Sequence, residues 1–542
     1  MEKKTQKKLL WPLVIAALMF GAMIALGRKI HFAGNVHLSY TMNTFDDFVW
    51  TDLVVFALAA VGTFALLLVL DALYDRIARP ADNKAFNKKL FIICFVVLCL
   101  CWLPFFLKDF PGTVVGDSFH SVNQGLGVKR IGNHFLVFYT LFVAIFLRIG
   151  AAFGSIMLGV FLYSLTQYLV MAAVYARFLT WLDSKGVKRW YLVLALAFFA
   201  IPQSFAMYAV IMWKDPLFTA FLLFLTMMLF DAVQSRGALF QDKKFVVKWV
   251  LLLLGTIFFR NNGLYIVIGI FVLLLFAYRK QAKRVLIATL CVIIAARIIV
   301  GPVYDALRIE KDSVVESVGI PLQQMAYVAV YGGEMNETEY ASVTKLMPIE
   351  EYKRVYTPCI VDTIKWDYDY FDRSYLDTQT GDVLKNWATI GVKNFPAYVK
   401  AYCLETFGYW KIGARNSNGD MMEGIIENVY GYDLYTINLL QKLPGGAVLE
   451  RMQAALQFHF SAGTLFALWV LGLALLLRRK AYPFALVLAP GALLWLTLML
   501  AAPVAFGVRY AYLLLAGFPL IPVVPVLAGN KNQQEENNHG IF

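Results

Sequence analysis

The chain has 542 residues, of which 60% are hydrophobic and 16% are charged, and its formal net charge is +13. A soluble protein carries about a quarter charged residues. The composition therefore excludes an ordinary soluble enzyme and predicts an all-α membrane protein whose helices satisfy their own backbone hydrogen bonds. Most of the positive charge lies in short clusters between apolar runs, which is typical of cytoplasmic loops, so nucleic acid is not an expected partner.

About twelve apolar runs approach the length of roughly 20 residues that crosses a bilayer. The predicted spans are residues 9–27, 52–74, 90–107, 156–181, 190–208, 215–233, 246–260, 264–278, 285–303, 460–477, 481–500 and 508–528. The first run follows Lys3, Lys4, Lys7 and Lys8. We interpret it as an uncleaved span, because it lacks a small-residue cleavage site with a soluble sequel.

Basic clusters between the spans predict the topology. They are Arg76, Arg79, Lys84, Lys88 and Lys89; Lys185, Lys188 and Arg189; Arg236, Lys243 and Lys244; Arg279, Lys280, Lys283 and Arg284; and Arg478, Arg479 and Lys480. With a cytoplasmic N-terminus, all five become cytoplasmic only if residues 135–149 do not cross the membrane. That run is short and carries Arg148, so we predict an interfacial or re-entrant helix on the outer side. Both termini of this plasma-membrane protein are then cytoplasmic.

Three regions follow from this topology. Residues 1–303 form an N-terminal transmembrane region with an outer loop at 108–154, and residues 460–542 form a C-terminal transmembrane region with a short cytoplasmic tail. Residues 304–459 are too many for a structureless loop, and they predict a mainly helical extracytoplasmic domain. Within it, Gly381–Glu405 predicts two helices, the second beginning at Pro396.

Two cysteines of the predicted outer domain raise the question of a disulfide. Cys359 and Cys403 both lie in this region. An extracytoplasmic disulfide and two free thiols both remain open.

Polar residues collect at the predicted outer ends of the spans. They are Asp117, His120 and His134 from the outer loop and Lys214, Arg260, Asn261, Arg509 and Tyr510 from short outer turns. Polar residues at the edge of a membrane region are functional candidates. The cations are suited to neutralise a phosphate, and Asp117 is suited to accept a proton from a hydroxyl nucleophile.

Structural roles compete with these assignments. Lys214 and Arg509 also fit cations that reach to lipid headgroups, and Arg260 with its neighbouring asparagines fits a capped turn. Asp117 also fits a cap for a helix beginning near Ser118. His120 fits a solvated loop histidine and His134 an anchor for the interfacial helix. For Asp215, a helix N-cap followed by Pro216 is the favoured interpretation.

Recognisable nucleotide and metal motifs are missing from the sequence. No GxxxxGK[ST], GxGxxG, HExxH or CxxC pattern occurs, which argues against ATP-driven transport and common zinc hydrolysis. Asp367, Asp369 and Asp372 are spaced loosely like a cation loop, but the glycine and closing glutamate of a calcium loop do not follow in register. A divalent cation at Asp117 stays open, because phosphate leaving groups often need one.

These features resemble the glycosyltransferase-C superfamily of multi-pass enzymes that use polyprenyl-phosphate sugars. The matching residues are Asp117 in the first large outer loop and then NHFLVFYTLF, Asn133–Phe142. Together with PGT, WKDPLFTA, RNNG and PLQQMAYV, they are similar to an uncharacterised bacterial membrane family within that class. Gly116 stands where a second acid is common and Phe135 where a proline is usual, so the metal and the donor stay open.

The resemblance implies inverting transfer with Asp117 as a base or acceptor-orienting group. The expected function is transfer of a sugar from a polyprenyl-phosphate donor to an envelope glycan, glycolipid or wall polymer, with membrane lipids as surroundings. An O-antigen polymerase- or ligase-like transferase is the alternative enzyme. A transporter or flippase of lipid-linked sugars is the alternative class, for which inverted repeats and broken helices near the bilayer midplane would be expected.

Overall fold

The protein is described by a computed structural model that covers residues 9–31, 43–77, 84–414, 422–426, 428–455, 458–501, 504–505 and 507–528, with the backbone alone at 74–77. The described chain is mainly α-helical, as the composition predicted. Its strands are the short antiparallel pair Ile30–His31 and Thr44–Phe45. Several residues used in the topology prediction lie outside the described residues: Lys3, Lys4, Lys7, Lys8, Arg79 and the tail 529–542.

The N-terminal region is a succession of apolar helices. In chain order they are α1 (Trp11–Gly27), α2 (Trp50–Ile77), α3 (Lys88–Lys108), α4 (Asp117–Gly125), α5 (Val137–Ala152), α6 (Ile156–Ser184), α7 (Arg189–Ala200), α8 (Gln203–Val210), α9 (Lys214–Gln234), α10 (Lys243–Phe259), α11 (Gly263–Tyr278) and α12 (Lys283–Ile298). A π-helical turn, Ile299–Val303, continues α12 into the next region.

Shorter helices follow in the predicted outer domain. They are α13 (Tyr304–Ala306), α14 (Gly319–Tyr331), α15 (Glu337–Leu346), α16 (Ile349–Val355), α17 (Asp362–Lys365), α18 (Arg373–Thr378), α19 (Thr380–Lys393), α20 (Phe395–Thr406) and α21 (Gly446–Ala455). The two helices predicted within Gly381–Glu405 are therefore present as α19 and α20, with Pro396 in the first turn of α20.

The C-terminal region returns to apolar helices. They are α22 (Ala462–Arg478), α23 (Ala489–Ala501) and α24 (Tyr512–Ala516). Short 3₁₀ helices connect the elements at Ala238–Gln241, Val314–Ser317, Phe407–Tyr409, Leu440–Lys442, Tyr482–Leu488, Val508–Ala511 and Phe518–Leu520.

Six helical stretches among the described residues are long and apolar enough to cross a membrane. They are Trp50–Leu73, Lys88–Lys108, Ile156–Ser184, Lys214–Gln234, Lys283–Ala306 and Tyr482–Ala501. A seventh stretch is the pair α7 and α8, which is bent by 56° between Ala200 and Gln203. Shorter apolar helices cover Trp11–Gly27, Val137–Ala152, Gly263–Tyr278, Ala462–Arg478 and Val508–Leu520. The twelve crossings stay a prediction.

Polar contacts connect the basic clusters of the sequence at one end of the helices. Lys84 Nζ lies 3.3 Å from Asp183 Oδ1, and Lys185 Nζ lies 2.6 Å from Asp231 Oδ1. The remaining clusters join in the same way: Arg284 donates to the carbonyl of Gln241, and Arg478 pairs with Asp71 while donating to the carbonyl of Leu9. The basic clusters therefore lie next to one another around one end of the helix bundle.

The hydrophobic interior is divided into separate clusters. The largest is formed by the apolar helices together with the chain around Leu404 to Ala414. A second cluster, between Val314 and Tyr398, is a separate core formed by the shorter helices, and we call this part of the chain the outer domain after its predicted location. The chain around Leu404 to Ala414 therefore packs with the apolar helices, although the residues just before it, up to Tyr398, belong to the second cluster. Cys359 and Cys403 are both buried, and they are not joined by a disulfide.

The outer loop is attached to both regions by backbone bridges. Thr113 pairs with Ile211 before α9, Val114 pairs with Ile425, and Gly132 pairs with Glu310. A third apolar cluster lies beneath α4 and α5 and includes Phe119, Val143 and Tyr163. These attachments hold the loop between the helix ends and the outer domain, where the candidate site is found.

Candidate functional site

Asp117 is the first residue of α4 and faces open space. The N-cap is Gly116, whose φ of 27° is unfavourable for residues with a Cβ. No side chain caps this helix, so the alternative role of Asp117 as a helix cap is wrong. The neighbouring Ser118 Oγ donates to the carbonyl of Met212 at 2.8 Å and fixes the turn against the chain before α9. The Asp117 side chain itself is 51% exposed.

Two cations lie behind Asp117, and we call these three residues, Asp117, Lys214 and Arg509, the charged floor. Arg509 Nη1 is 3.2 Å from Asp117 Oδ2. The guanidinium also lies over the ring of Trp213 at 4.5 Å and donates to Tyr510 Oη at 2.6 Å. Burial alone would raise the pKa of Asp117, but the charges of Arg509 and Lys214 outweigh it and hold this pKa below its ordinary value.

The two predicted histidines flank Phe135. The ring of His120 stacks on Phe135 with centroids 4.6 Å apart, and His134 meets the same ring edge-on at 4.5 Å. Lys214 Nζ lies 5.8 Å from the centroid of Phe135. Burial, with the charge of Lys129, lowers the pKa of His120. His120 is therefore a packed histidine at the cavity and not the solvated loop residue of the alternative interpretation.

Arg260 is engaged within the protein. It forms an ion pair with Asp215, and both side chains are buried. The guanidinium also lies 4.8 Å from the centroid of Tyr510. Asp215 does not cap α9, because the helix begins one residue earlier with Trp213 at the N-cap and no side-chain cap. The favoured interpretation of Asp215 is thus wrong: its carboxylate neutralises Arg260, which leaves this arginine without the open position expected of a phosphate ligand.

Asp312, which the sequence did not single out, connects two predicted residues. Its Oδ1 lies 3.0 Å from His134 Nδ1, and its Oδ2 accepts a hydrogen bond from Asn261 Nδ2 at 3.3 Å. His134 is thereby fixed to the outer domain as well as to α5. No charge pattern around Asp312 distinguishes it in the sequence, because its partners lie 178 and 51 residues away.

A cavity of about 570 Å³ opens between the loop and the outer domain. Its size falls in the range of small-molecule sites. The loop contributes Asp117, His120, Gln124, Lys129, Arg130, Gly132, His134 and Phe135, and the outer domain contributes Glu310, Lys311, Asp312, Ser313, Val315, Glu316, Trp366, Tyr368 and Arg373. We call Trp366, Tyr368 and Arg373 the aromatic wall. Sequence reasoning missed this wall, since no motif singles out Trp366, Tyr368 or Arg373 in the sequence.

The described residues do not offer a ligand set for a divalent cation. Nowhere among them do three His, Cys, Asp or Glu side chains come together in a way that would hold a metal. Asp117 faces Arg509 instead of a second acid. In the loosely spaced acidic run, Asp367 pairs with Arg354 and Asp372 caps α18. The residues present therefore do not fit the cation that the sequence left open.

Comparison with known proteins identifies the family of this chain. Residues 129–435, more than half of the chain, match the model of a family of unknown function, DUF6020. The chain belongs to this family. No curated protein and no solved structure matches it. The DUF6020 region holds the aromatic wall, His134, Lys214 and Arg260, whereas Asp117 and Arg509 lie on either side of it.

Proposed function

We propose that this DUF6020 protein is a membrane glycosyltransferase, which moves a sugar from a polyprenyl-phosphate donor to an envelope glycan, glycolipid or wall polymer. The observation that carries the proposal is the exposed carboxylate of Asp117, 3.2 Å from Arg509 at the floor of a 570 Å³ cavity. A carboxylate beside cations is the combination that deprotonates a hydroxyl while neutralising a departing phosphate.

The proposed topology has twelve spans in the plasma membrane, with both termini cytoplasmic. The contacts that join the basic clusters at one end of the bundle support it, since such clusters favour the cytoplasmic side. The charged floor involves the beginning of α9, which is the opposite end from the cluster residue Arg236. A cavity on the outer side would receive a lipid-linked headgroup while its chain stays in the bilayer.

The predicted interfacial helix, α5, also has supporting features. Its contacts with α6 include Gly159 and Tyr163, both within the first eight residues of that helix. A Cβ added at Gly150 would lie 2.3 Å from the backbone nitrogen of Gly159, so the two helices approach closely there. The opposite face exposes an apolar stripe: Phe138, Leu141, Ile145 and Ile149. Such a stripe suits a helix lying at the membrane surface.

The reaction would proceed by one displacement at the anomeric carbon. The acceptor oxygen forms a bond to that carbon as the bond to the phosphate oxygen breaks, which inverts the configuration. The acceptor proton passes to Asp117, and the electron pair leaves with polyprenyl phosphate. Arg509 and Lys214 would stabilise the added negative charge on the leaving group, as preorganised cations do in other phosphate-releasing sites.

The ion pair between Asp117 and Arg509 implies that donor binding precedes activation of the base. With Arg509 beside it, Asp117 stays ionised at neutral pH but is a weak base, because its pKa is lowered. A donor phosphate would compete for the guanidinium, since Arg binds phosphate by paired hydrogen bonds. Once Arg509 turns to the phosphate, burial raises the basicity of Asp117. The base would thus become effective when the donor is bound.

Replacing Asp117 with asparagine tests the proposal. Membranes supplied with polyprenyl-phosphate sugars should lose transfer by about 10²-fold or more for Asp117→Asn, because general-base catalysis contributes about 10²–10⁴-fold. Asp382→Asn is the matched control, since Asp382 is an exposed acid in the first turn of α19 and does not line the cavity. The measurements are transfer at equal protein level and the mass of envelope glycans with and without the protein.

Two results would contradict the proposal at different levels. Full transfer by Asp117→Asn would eliminate the base role of this residue. Identical envelope glycans with and without the protein would eliminate the glycosyltransferase function. A product extended by whole repeat units, in place of single sugars, would instead favour the polymerase- or ligase-like alternative.

The transporter alternative is favoured by the bend between α7 and α8. Broken helices with polar groups at the break are typical of transport sites. Here the bend follows from Pro202, which begins α8, and the buried side chains on either side of it include Phe199 and Phe205. The buried polar side chains at the break are the uncharged Gln203 and Ser204, whereas the charged residues gather around Asp117, which favours the transferase over the transporter.

A further inference from the structure

The aromatic wall lines the cavity together with Asp117 of the charged floor. The ring of Trp366 lies 5.8 Å from His134 and 6.0 Å from Tyr368, measured between centroids. The guanidinium of Arg373 lies 4.4 Å from the Trp366 ring and 4.6 Å from the Tyr368 ring. Tyr368 is nevertheless 73% exposed. The ring of Tyr368 is therefore accessible to a ligand in the cavity.

A buried ionic group holds this wall in place. Lys365 is 3% exposed, and its Nζ lies 2.7 Å from Glu316 Oε2 and 3.0 Å from Asp362 Oδ1. Arg373 donates to the backbone carbonyl of Lys365. Buried charges keep their positions when they are paired in this way. The paired charges around Lys365 therefore hold the rings in fixed positions, as a preorganised binding surface requires.

Hydrogen-bonding groups surround the rings. Glu310 and Asp312 line the same cavity between the wall and the loop, and Arg373 adds a guanidinium. A pyranose ring combines one face of C–H groups with a rim of hydroxyls. The C–H face packs on aromatic rings, while carboxylates and guanidinium groups bind pairs of hydroxyls. The wall offers both kinds of contact within one cavity.

We infer that the aromatic wall is the subsite for the acceptor and that the acceptor is a saccharide, an inference that rests on the proposed glycosyltransferase function. The donor carries a lipid chain, so its phosphate arrives at the helix ends where Lys214 and Arg509 lie. The wall belongs to the outer domain, whose core is separate from that of the apolar helices. Phe135 contacts both His134 and Lys214 and so lies where the proposed donor side and the proposed acceptor side adjoin.

Glycan binding measured apart from transfer tests the inference. The probe is the pool of oligosaccharides released by mild acid from the envelope of cells that lack the protein, which holds the unmodified acceptor. The full chain, immobilised in detergent without donor, should retain part of this pool. Tyr368→Ala and Trp366→Ala should each weaken retention by about fivefold or more, since each removes an aromatic contact together with the surface area that it buries.

The matched control is Tyr370→Ala. Tyr370 is also exposed but lies on Arg354 outside the cavity, so retention should stay unchanged. Tyr368→Ala distinguishes lost binding from misfolding, because the ring of Tyr368 is exposed to solvent and its removal should not disturb the fold. No retention by the wild type, or equal retention by wild type and both wall variants, overturns the inference.

The same variants separate this inference from the proposed function. Polyprenyl-phosphate sugar added as a second probe should bind the wall variants as well as the wild type; selective loss of donor binding would assign the wall to the donor sugar and overturn the acceptor subsite. Saccharide binding without any transfer would contradict the glycosyltransferase function alone. Transfer that is indifferent to both wall substitutions would contradict the acceptor subsite alone.

Discussion

Asp117 of the charged floor lines the same cavity as the aromatic wall, but the floor and the wall are built in different ways. The floor joins Asp117, Lys214 and Arg509, which come from three distant parts of the chain. The wall comes from one short stretch, 366–373, supported by Lys365, which directly precedes it. The geometry of the floor therefore depends on how the apolar helices pack, whereas the wall depends on the outer core. Changes in the helix ends should disturb transfer long before they disturb the wall.

The largest expected effect is on stability, from Arg260 beneath the floor. Arg260→Ala leaves the carboxylate of Asp215 buried without its partner. Breaking a buried ion pair from one side costs about 3–5 kcal/mol, so the variant should unfold at a clearly lower temperature in detergent. Transfer should fall as the floor loses its support. Thermal unfolding of the purified protein measures the first effect and donor-dependent transfer the second.

The double variant Arg260→Met with Asp215→Leu separates structure from chemistry. Replacing both partners of a buried pair by apolar residues is often neutral or stabilising. We expect near-normal stability and measurable transfer, because Arg260 serves Asp215. A stable double variant without any transfer would show that Arg260 binds the donor directly, as the sequence suggested.

Arg509 should affect catalysis more than folding. Arg509→Gln removes the charge beside Asp117, and transfer should fall by about 10²–10³-fold, as for the loss of one preorganised group at a developing charge. Without the charge of Arg509, less positive charge offsets the effect of burial on Asp117, so the pKa of this carboxyl group rises. In the wild-type free enzyme, Arg509 keeps Asp117 ionised, so protonation of Asp117 should not limit kcat/KM down to about pH 5. In the variant, the acid limb of the kcat/KM profile, which reports the free enzyme, should move to higher pH.

Lys29 offers a control for that experiment, because it lies in another buried ion pair, with Asp52, away from the cavity. Lys29→Gln should leave the acid limb where it is. An acid limb that stays unchanged in Arg509→Gln would mean that Asp117 is not the titrating base. Saccharide retention by the wall should survive Arg509→Gln, since the wall does not depend on the floor.

Much of the floor was predictable from the sequence, and for a physical reason. Basic residues favour cytoplasmic turns, so Lys214, Arg260 and Arg509 were conspicuous in the short predicted outer turns. The alternation of basic clusters placed these turns on one side with Asp117. The structure does bring Arg509 against Asp117. Their part in catalysis stays a prediction. The helices themselves were predictable because apolar runs of that length have few other structures.

The pairings and the wall were not predictable in the same way. That Arg260 meets Asp215 depends on the end of α10 lying beside the beginning of α9, which no local pattern indicates. Trp366 looks like a core residue in the sequence, because burial and exposure of a single tryptophan have no periodic signal outside a regular helix. Its position at the cavity follows from the ionic group around Lys365, whose partner Glu316 lies 49 residues away.

The smallest effect is expected at His120, where the floor meets the aromatic residues of the loop. Its pKa is lowered, first by burial and then by Lys129, so the ring is neutral above about pH 7. Stacked on Phe135, it acts through its surface, and His120→Phe keeps an aromatic pair worth about 0.5–1.5 kcal/mol. Transfer between about pH 7 and 8.5 should stay within about threefold of the wild type with an unchanged profile. His120→Ala, which removes the stack, should cost more than His120→Phe. A loss of tenfold or more in His120→Phe would instead mean that a ring nitrogen contacts the substrate.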